Sequence, residues 1–488
     1  MDNTKNNRRK IMDNTKNTRN SYGLNRLSVR TVSKRKTTIP DEKGACLTFV
    51  GILHGMRTLF FLLVVLLLVS MSAGDLHAQS GDSKAVQPST LTEAQAYAAI
   101  KVALEDEWAI DNHTHIVYGA HYDEKVFGYM PLAMRHDVPE HLALVRELFG
   151  TDDPVEAAAI RDGRIKTEGG AYWIRHLDAT RTRIALVNTM ASLPDTGGRM
   201  LWVPYATYLL FPVPADNYPR DPSGADIAKR ARAWLADNAL EDGQAPADLP
   251  AYLAFVDETL AAWARDGAVG IKFIDGLTRT LLFTDIGTDE AAELYRKGQS
   301  QDLRRDEYLR LQDFIARYIF LKAPEHDLTV HIHAGSGGPP FLQHRENDVR
   351  HLEEILTNPR FFRTQFVLIH GGFPLVEDAA YLSLKPHVWI DVSAQPFFYP
   401  MRELVERLRT YLIYSPSSVL FGTDVSSYPS VPGGPEVQHI VISKKLREAL
   451  NQALAGLVRD EMMTVEEAIS LGRGILHENA ERLYGFDG

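Results

Sequence analysis

The chain has 488 residues, 45% hydrophobic and 24% charged, with a formal net charge of −10. Those proportions are ordinary for a globular protein, and the acidity argues against a nucleic-acid partner. The single cysteine, Cys46, excludes an intramolecular disulfide and any multi-thiolate zinc site, so a metal held here must take His, Asp, Glu or modified Lys ligands.

In chain order, the first segment differs from the rest. Residues 1–55 repeat MDNTKN and carry 12 Lys/Arg against 4 Asp/Glu, which reads as a disordered or non-translated leader. Residues 56–78, "MRTLFFLLVVLLLVSMSAGDLHA", join a positive residue, an apolar run from Leu59 to Val69 and a small-residue ending. That is the pattern of a secretory signal peptide, and the run is shorter than the roughly 20 apolar residues a membrane-spanning helix needs. Translation from Met56, export to the periplasm and a mature chain beginning near Gln79 are therefore expected, with membrane contact only through the export signal.

Residues 79–488 are expected to form a single domain. Helix-like "LTEAQAYAAIKVALEDEW" precedes the first apolar strand, "AIDNHTHI", and a helical insertion follows through "VPEHLALVRELFG" and "DPVEAAAIRDGR". "TRIALVNTM" and "MLWVPYATYLLF" read as the second and third strands, and a long helical stretch then leads to "AVGIKFI". From there helical segments alternate with "LTVHIHAG", "QFVLIHGG", "VWIDVSAQ" and "SVLFGTDVS", before two closing helices. Apolar strands bounded by Gly, Pro and Asp turns and separated by helical periodicity indicate a parallel sheet. Eight of them fit an α/β fold of the (β/α)8 TIM-barrel type, with helical insertions after strands 1 and 3. A doubly wound open sheet is the alternative, but no GxGxxG-type loop follows the first strand.

In such a barrel the strand C-termini converge on one opening, and the polar residues there form a set. His113 and His115 end the first strand, and alternation projects both rings from one side. Lys272 lies near the end of the fourth strand, His331 and His333 end the fifth, His370 the sixth and Asp424 the eighth. An isolated His-x-His, or a lone His ending an apolar strand, is more often structural than a ligand. Imidazoles and a carboxylate from four converging strands are instead the donors Zn²⁺ takes when thiolates are absent.

These motifs, with "HGGFP", "VWIDVS", "LFGTDVS" and the closing "ILHENAERLYGF", resemble the amidohydrolase superfamily over about residues 105–485. The likeness is to the amidohydrolase-related branch that includes aminocarboxymuconate-semialdehyde-type decarboxylases. The resemblance implies Zn²⁺ or another divalent transition metal, one or two ions, with His113, His115, His333, His370 and Asp424 as ligands. It gives Asp424 a second role as general base, and makes His370 either a second-metal ligand or a catalytic group. Lys272 stays open between a carboxylated lysine bridging two metals, a substrate-binding lysine and a partner for Asp275. His331, one layer deeper, is a core or supporting residue, and Arg279 is either a contact for an anionic substrate or a solvated loop arginine.

A bound Zn²⁺ lowers the pKa of its water from 15.7 to about 7, so the expected activity is hydrolysis of a small amide, lactone or related carbonyl compound. The alternative is a metal-dependent non-oxidative decarboxylase. An exported binding protein with a retired site is disfavoured, because no member of the ligand set is missing. The expected partner is a small-molecule substrate, and homo-oligomerisation is left open.

Overall fold

The computed structural model describes residues 92–117, 139–214, 222–238, 246–335, 343–426 and 434–486. The leader 1–55 and the signal-like segment 56–78 lie outside these residues. No helix among the described residues is long and apolar enough to cross a membrane.

Helix α1 (Glu93–Leu104) opens on a capping box, in which Thr92 and Gln95 satisfy each other's backbone N–H groups. It buries Ala96, Ile100 and Leu104, the one-face spacing of an amphipathic helix. Strand β1 (Ala109–Thr114) follows, then α2 (Pro139–Phe149), α3 (Pro154–Glu168) and α4 (Gly170–Ala179) before β2 (Thr182–Asn188) and β3 (Met200–Val203). Two helices, α5 (Pro222–Asn238) and α6 (Leu249–Arg265), precede β4 (Gly270–Phe273). After α7 (Thr288–Ser300) and α8 (Arg305–Lys322) come β5 (Thr329–His333), α9 (Glu353–Thr357), β6 (Phe366–Ile369), α10 (Val376–Leu382) and β7 (Val388–Asp391). The chain continues through α11 (Gln395–Phe398), α12 (Met401–Tyr414), β8 (Val419–Leu420), α13 (Pro435–Arg459), α14 (Val465–Arg473) and α15 (Asn479–Tyr484).

Every strand pairing is parallel, in the orders β1-β2-β3 and β4-β5-β6-β7-β8. Backbone hydrogen bonds join the two groups at both seams. At one, Val269 N donates to Trp202 O (3.1 Å) and Lys272 N to Pro204 O (2.8 Å). At the other, Asn112 N donates to Phe421 O (2.9 Å), Asp424 N to His113 O (2.7 Å) and His115 N to Val425 O (2.7 Å). The molecule is an α/β protein of the (β/α)8 TIM-barrel fold.

One cluster, formed by Ile110, Leu186, Val203, Val367, Ile369, Trp389 and Leu420, takes a residue or two from most strands and fills the ring. The larger core lies between strands and helices. Such burial on both faces explains why these strands read as near-continuous apolar runs.

The third strand departs from the expectation. The apolar run from Met200 to Phe211 is not one strand: β3 stops at Val203, and Ala206–Leu210 is a 3-10 turn with all five residues buried. Pro204 has no N–H to continue a ladder, and a buried turn is as apolar as a buried strand. At the other end of the chain, the closing motif braces β8. Ile475 O accepts Phe421 N (3.2 Å), and Asn479 Nδ2 donates to Val419 O (2.8 Å).

Candidate metal centre

Simple alternation does not suffice to aim the first-strand histidines. Ile110 packs inside the ring, and Asn112 reaches Asp391 Oδ2 (2.8 Å) and Tyr484 OH (2.5 Å). Strict period two would send His113 to the opposite face from both. Between Asp111 and Thr114, however, the register against β2 slips by a residue, with Asp111 opposite Ala185 and Thr114 opposite Val187. This β-bulge re-aims the residues beyond it, so His113 and His115 join the same opening. His115 lies just beyond the last strand residue, Thr114.

The other groups meet them there. Asp424 Oδ1 lies 3.1 Å from His113 Nε2 and 3.4 Å from His115 Nε2. Ligand atoms of these three residues all fall within 4.8 Å of one another. The His370 ring sits 5.3 Å from that of His113, and its Nε2 lies 3.3 Å from His333 Nδ1. Lys272 Nζ is 3.4 Å from His113 Nε2. All six residues singled out from the sequence for the site thus gather at one end of the barrel.

Two of them sit on left-handed backbone, His370 at φ +70° and Asp424 at φ +58°. Asp and His tolerate this region better than most residues, and such conformations cluster where a side chain must be aimed. The His370 turn is held from outside. Tyr411 OH donates to Gly371 O (2.6 Å), and a Cβ on Gly371 would lie 2.5 Å from that hydroxyl, which accounts for the glycine after His370.

Three readings are now decided. Lys272 makes no ion pair with Asp275 among the described residues; Thr207 Oγ1 donates instead to Asp275 Oδ2 (2.7 Å). Arg279 is neither solvated nor in the site. It is 1% exposed, ion-paired with Asp313 and stacked 4.8 Å from the Phe283 ring centre, a structural arginine. His331 is fully buried on Tyr484 OH (2.7 Å) and supports the interior, in keeping with its deeper layer.

Electrostatics set each group in the form a metal takes. Burial, reinforced by Lys272, pushes the His113 pKa well below its usual range; burial and then His370 do the same to His333. Burial takes His370 down to about 3. For Asp424 burial works upward, but His370 and hydrogen bonds from His113 and His115 outweigh it and hold the carboxyl well below the ordinary range. Burial brings Lys272 down to about 7 against the pull of Asp424 and Asp391. Ligands must be deprotonated to bind: the histidines and Asp424 are held so, while Lys272 titrates near neutrality.

The donor chemistry fits a cation. His115 Nδ1 lies 3.1 Å from Asn188 O, and a carbonyl oxygen can only accept. Nδ1 therefore donates to Asn188 O, and Nε2 is turned toward Asp424 Oδ1, 3.4 Å away in the opening; metal-binding histidines characteristically donate their other N–H to a carbonyl in this way. His333 Nε2 is buried with no hydrogen-bond partner among the described residues. Asn188, Tyr205, whose OH is 3.2 Å from His115 Nδ1, and Ser393, whose Oγ is 3.0 Å from His370 Nδ1, escape sequence reasoning. They act on nitrogens turned away from the opening and share no spacing with the ligands.

A pH dependence of stability results. In the unfolded chain His113, His176, His331, His333 and His370 titrate near the ordinary value of 6.5, whereas folded they resist protonation. Below pH 6.5 the unfolded state holds more protons, so stability falls as pH falls. Asp424 adds to this loss. Asp275 and Asp391, raised to about 6 by burial, and Glu436, also raised, work oppositely because they gain protons on folding. The histidines are more numerous and begin to titrate at higher pH, so they win. The thermal midpoint of EDTA-treated protein should decline as pH falls below about pH 6.5, and Lys272, lowered from 10.5 to about 7, should make it rise further above pH 7; a midpoint that climbs as pH falls from 6.5 to 5 contradicts the assignment.

A family model described as amidohydrolase matches residues 225–486. In three dimensions the chain is similar to a Lactobacillus casei protein assigned as a metal-dependent hydrolase, at 15% identity over 79% of this chain and 97% of that one, with a TM-score of 0.55. It is similar to the glucuronate isomerase of Caulobacter crescentus at 15% identity, 84% and 98% coverage and a TM-score of 0.52. The uronate isomerase of Thermotoga maritima gives 12%, 84% and 100%, and 0.51. At such identities the likeness establishes the shared fold alone. No curated protein matches the chain in sequence.

Proposed function

This chain belongs to the amidohydrolase family, and from that premise we propose that it is a metal-dependent hydrolase of a small amide, lactone or related carbonyl compound. The observation that carries the reading is the convergence of His113, His115 and Asp424, with ligand atoms within 4.8 Å of one another. His333, His370 and Lys272 complete the donor set. When bound, a divalent ion such as Zn²⁺ supplies Lewis-acid polarisation of a carbonyl and a water that ionises near neutral pH.

The chain's own groups do the rest. The Asp424 carboxylate, kept ionised by its neighbours, accepts the proton of the attacking water and hands it to the leaving nitrogen or oxygen. If His370 does not itself hold an ion, its ring, near Ser393 Oγ and His333 Nδ1, would stabilise negative charge developing on the carbonyl oxygen. Screening amides, lactones, cyclic imides and aromatic carboxylates, with metal removed and restored, tests this. Hydrolysis that vanishes with EDTA and returns with Zn²⁺ is expected. Carbon dioxide release from an aromatic carboxylate, without hydrolysis of any carbonyl substrate, would turn the reading to the decarboxylase.

Lys272 yields a separate prediction. An ammonium 3.4 Å from a ligand nitrogen repels a divalent cation. We propose that Lys272, as the free amine that burial makes available near neutral pH, reacts with carbon dioxide, loses one proton and carries a carbamate that two ions would share. Metal analysis should find close to two ions per chain, falling to one in Lys272→Ala. One ion in both proteins makes Lys272 a substrate-binding or structural residue instead.

A further inference from the structure

Opposite the metal centre the barrel carries a second concavity. A cleft of about 520 Å³ opens between α1 and α13, within the size range of small-molecule sites. Arg181 in its wall directly precedes β2, and Glu105 lies between α1 and β1. The cleft therefore lies at the strand N-termini, whereas the metal ligands stand at the strand C-termini. The six residues of β1, at about 3.3 Å each, separate the two ends.

Charge in the cleft is out of balance. Four cations, Lys101, Arg181, Lys444 and Arg447, line it with only two carboxylates, Glu105 and Glu448, in a chain whose formal net charge is −10. Lys101 is paired with Glu448 (3.6 Å) and Arg181 with Asp106 (2.7 Å), while the nearby Glu107 carboxylate is taken by Arg473 Nε (2.7 Å). Lys444, exposed, and Arg447, half-buried, form no ion pair among the described residues. Arg447 is held ready: its Nη1 donates to Glu107 O (3.0 Å) and its Nη2 to Arg181 O (3.2 Å), which leaves three of its five N–H donors uncommitted. Arg181 places that carbonyl from left-handed backbone, φ +49°, which a residue other than glycine seldom adopts. Asn451, 8% exposed, lines the same cleft, and its side-chain amide has no hydrogen-bond partner among the described residues. A buried amide normally has one. Leu104, Leu450 and Leu476, all buried, supply an apolar wall.

We propose that this cleft is a second ligand site, which takes a small organic anion: one carboxylate or phosphate head on an apolar body. Arg447 and Lys444 hold the head, the Asn451 amide donates to one of its oxygens, and the body covers the leucines. Glu105 and Glu448 oppose charge spread over a longer molecule, so a compact head is favoured over a polyanion. The ligand is not the substrate of the metal centre, and its binding does not depend on that centre.

The test is isothermal titration of the full chain with hexyl phosphate and with hexanoate, beside inorganic phosphate and hexanol as head and body alone. One site per chain with a Kd below about 1 mM is expected for at least one of the two anions, and the tighter of them identifies the head. Inorganic phosphate and hexanol should each bind at least about tenfold more weakly, because each lacks half of the contacts. Lys444→Glu alters an exposed side chain without a partner, so it should leave the fold intact and weaken the anion about tenfold or more. Asn451→Leu keeps the volume without the amide and should cost about tenfold, the contribution of a hydrogen bond to a charged group. His113→Ala should bind the anion as wild type does. The proposal is overturned if neither anion binds below about 1 mM, or if inorganic phosphate binds as tightly as hexyl phosphate. Unchanged affinity in Lys444→Glu also overturns it, as does unchanged affinity in Asn451→Leu, which marks unspecific attraction to surface charge. Binding lost in His113→Ala and kept in Lys444→Glu would place the anion on the metal centre instead.

Discussion

Asp424→Asn is expected to lower turnover by about 10²- to 10⁴-fold, the contribution of a positioned general base, while metal stays bound. Asn keeps the shape of Asp and one carbonyl oxygen for weak coordination, but accepts no proton at neutral pH. The fold should tolerate it for a reason specific to this site: Asp424 sits at φ +58°, and Asn adopts left-handed backbone as readily as Asp does. The bond from its backbone N–H to His113 O, 2.7 Å, does not depend on the side chain. His113 and His115 should therefore still hold the ion. Because the lost interaction acts in the transition state, kcat should fall together with kcat/KM. Activity and metal content must be measured on the same preparation, with circular dichroism for folding. A folded, metal-loaded variant within about threefold of wild type would move the base elsewhere, with His370 the next residue to test.

The residues of this site are more legible in the sequence than the means of placing them. His113, His115, His333, His370 and Asp424 stand out because each ends an apolar run, and a barrel brings such ends together whatever the intervening helices do. The bulge at Asn112–His113 leaves no trace in the composition of β1, since it depends on register against β2. Alternation therefore gives the right partner for His113 through incomplete geometry.

Arg279 shows the opposite failure. A charged residue shortly after a strand invites a functional reading, yet its partner, Asp313, lies on α8, a distance in sequence that no local pattern spans. Asp111 is a similar case: its carboxylate accepts Thr423 N and Thr423 Oγ1, partners far off in sequence and away from the opening. The buried turn after β3 reads as strand because hydropathy reports burial and says little about backbone conformation.

His113→Ala should differ from Asp424→Asn by losing metal and activity together. His113 is 1% exposed, and its Nε2 stands 3.1 Å from Asp424 Oδ1, inside the tightest part of the donor set. Alanine removes a ligand outright, so the loss of affinity should exceed the about 10–100-fold typical of a partner behind a ligand. The necessary control is a buried histidine on another strand, β5. His331 is equally enclosed, but its Nε2 is engaged by Tyr484 OH at 2.7 Å, and its pKa is lowered to about 3 mainly by burial. His331→Gln can retain the bond to Tyr484, and should keep its metal even if packing weakens the barrel. Thermal midpoints separate the two effects. Added Zn²⁺ should raise the midpoint of wild type and His331→Gln, because a ligand that binds only the folded state stabilises it by mass action. It should do little for His113→Ala. If His113→Ala binds metal like wild type while His331→Gln does not, the ion sits a layer deeper in the barrel, and the roles of the first and fifth strands are reversed.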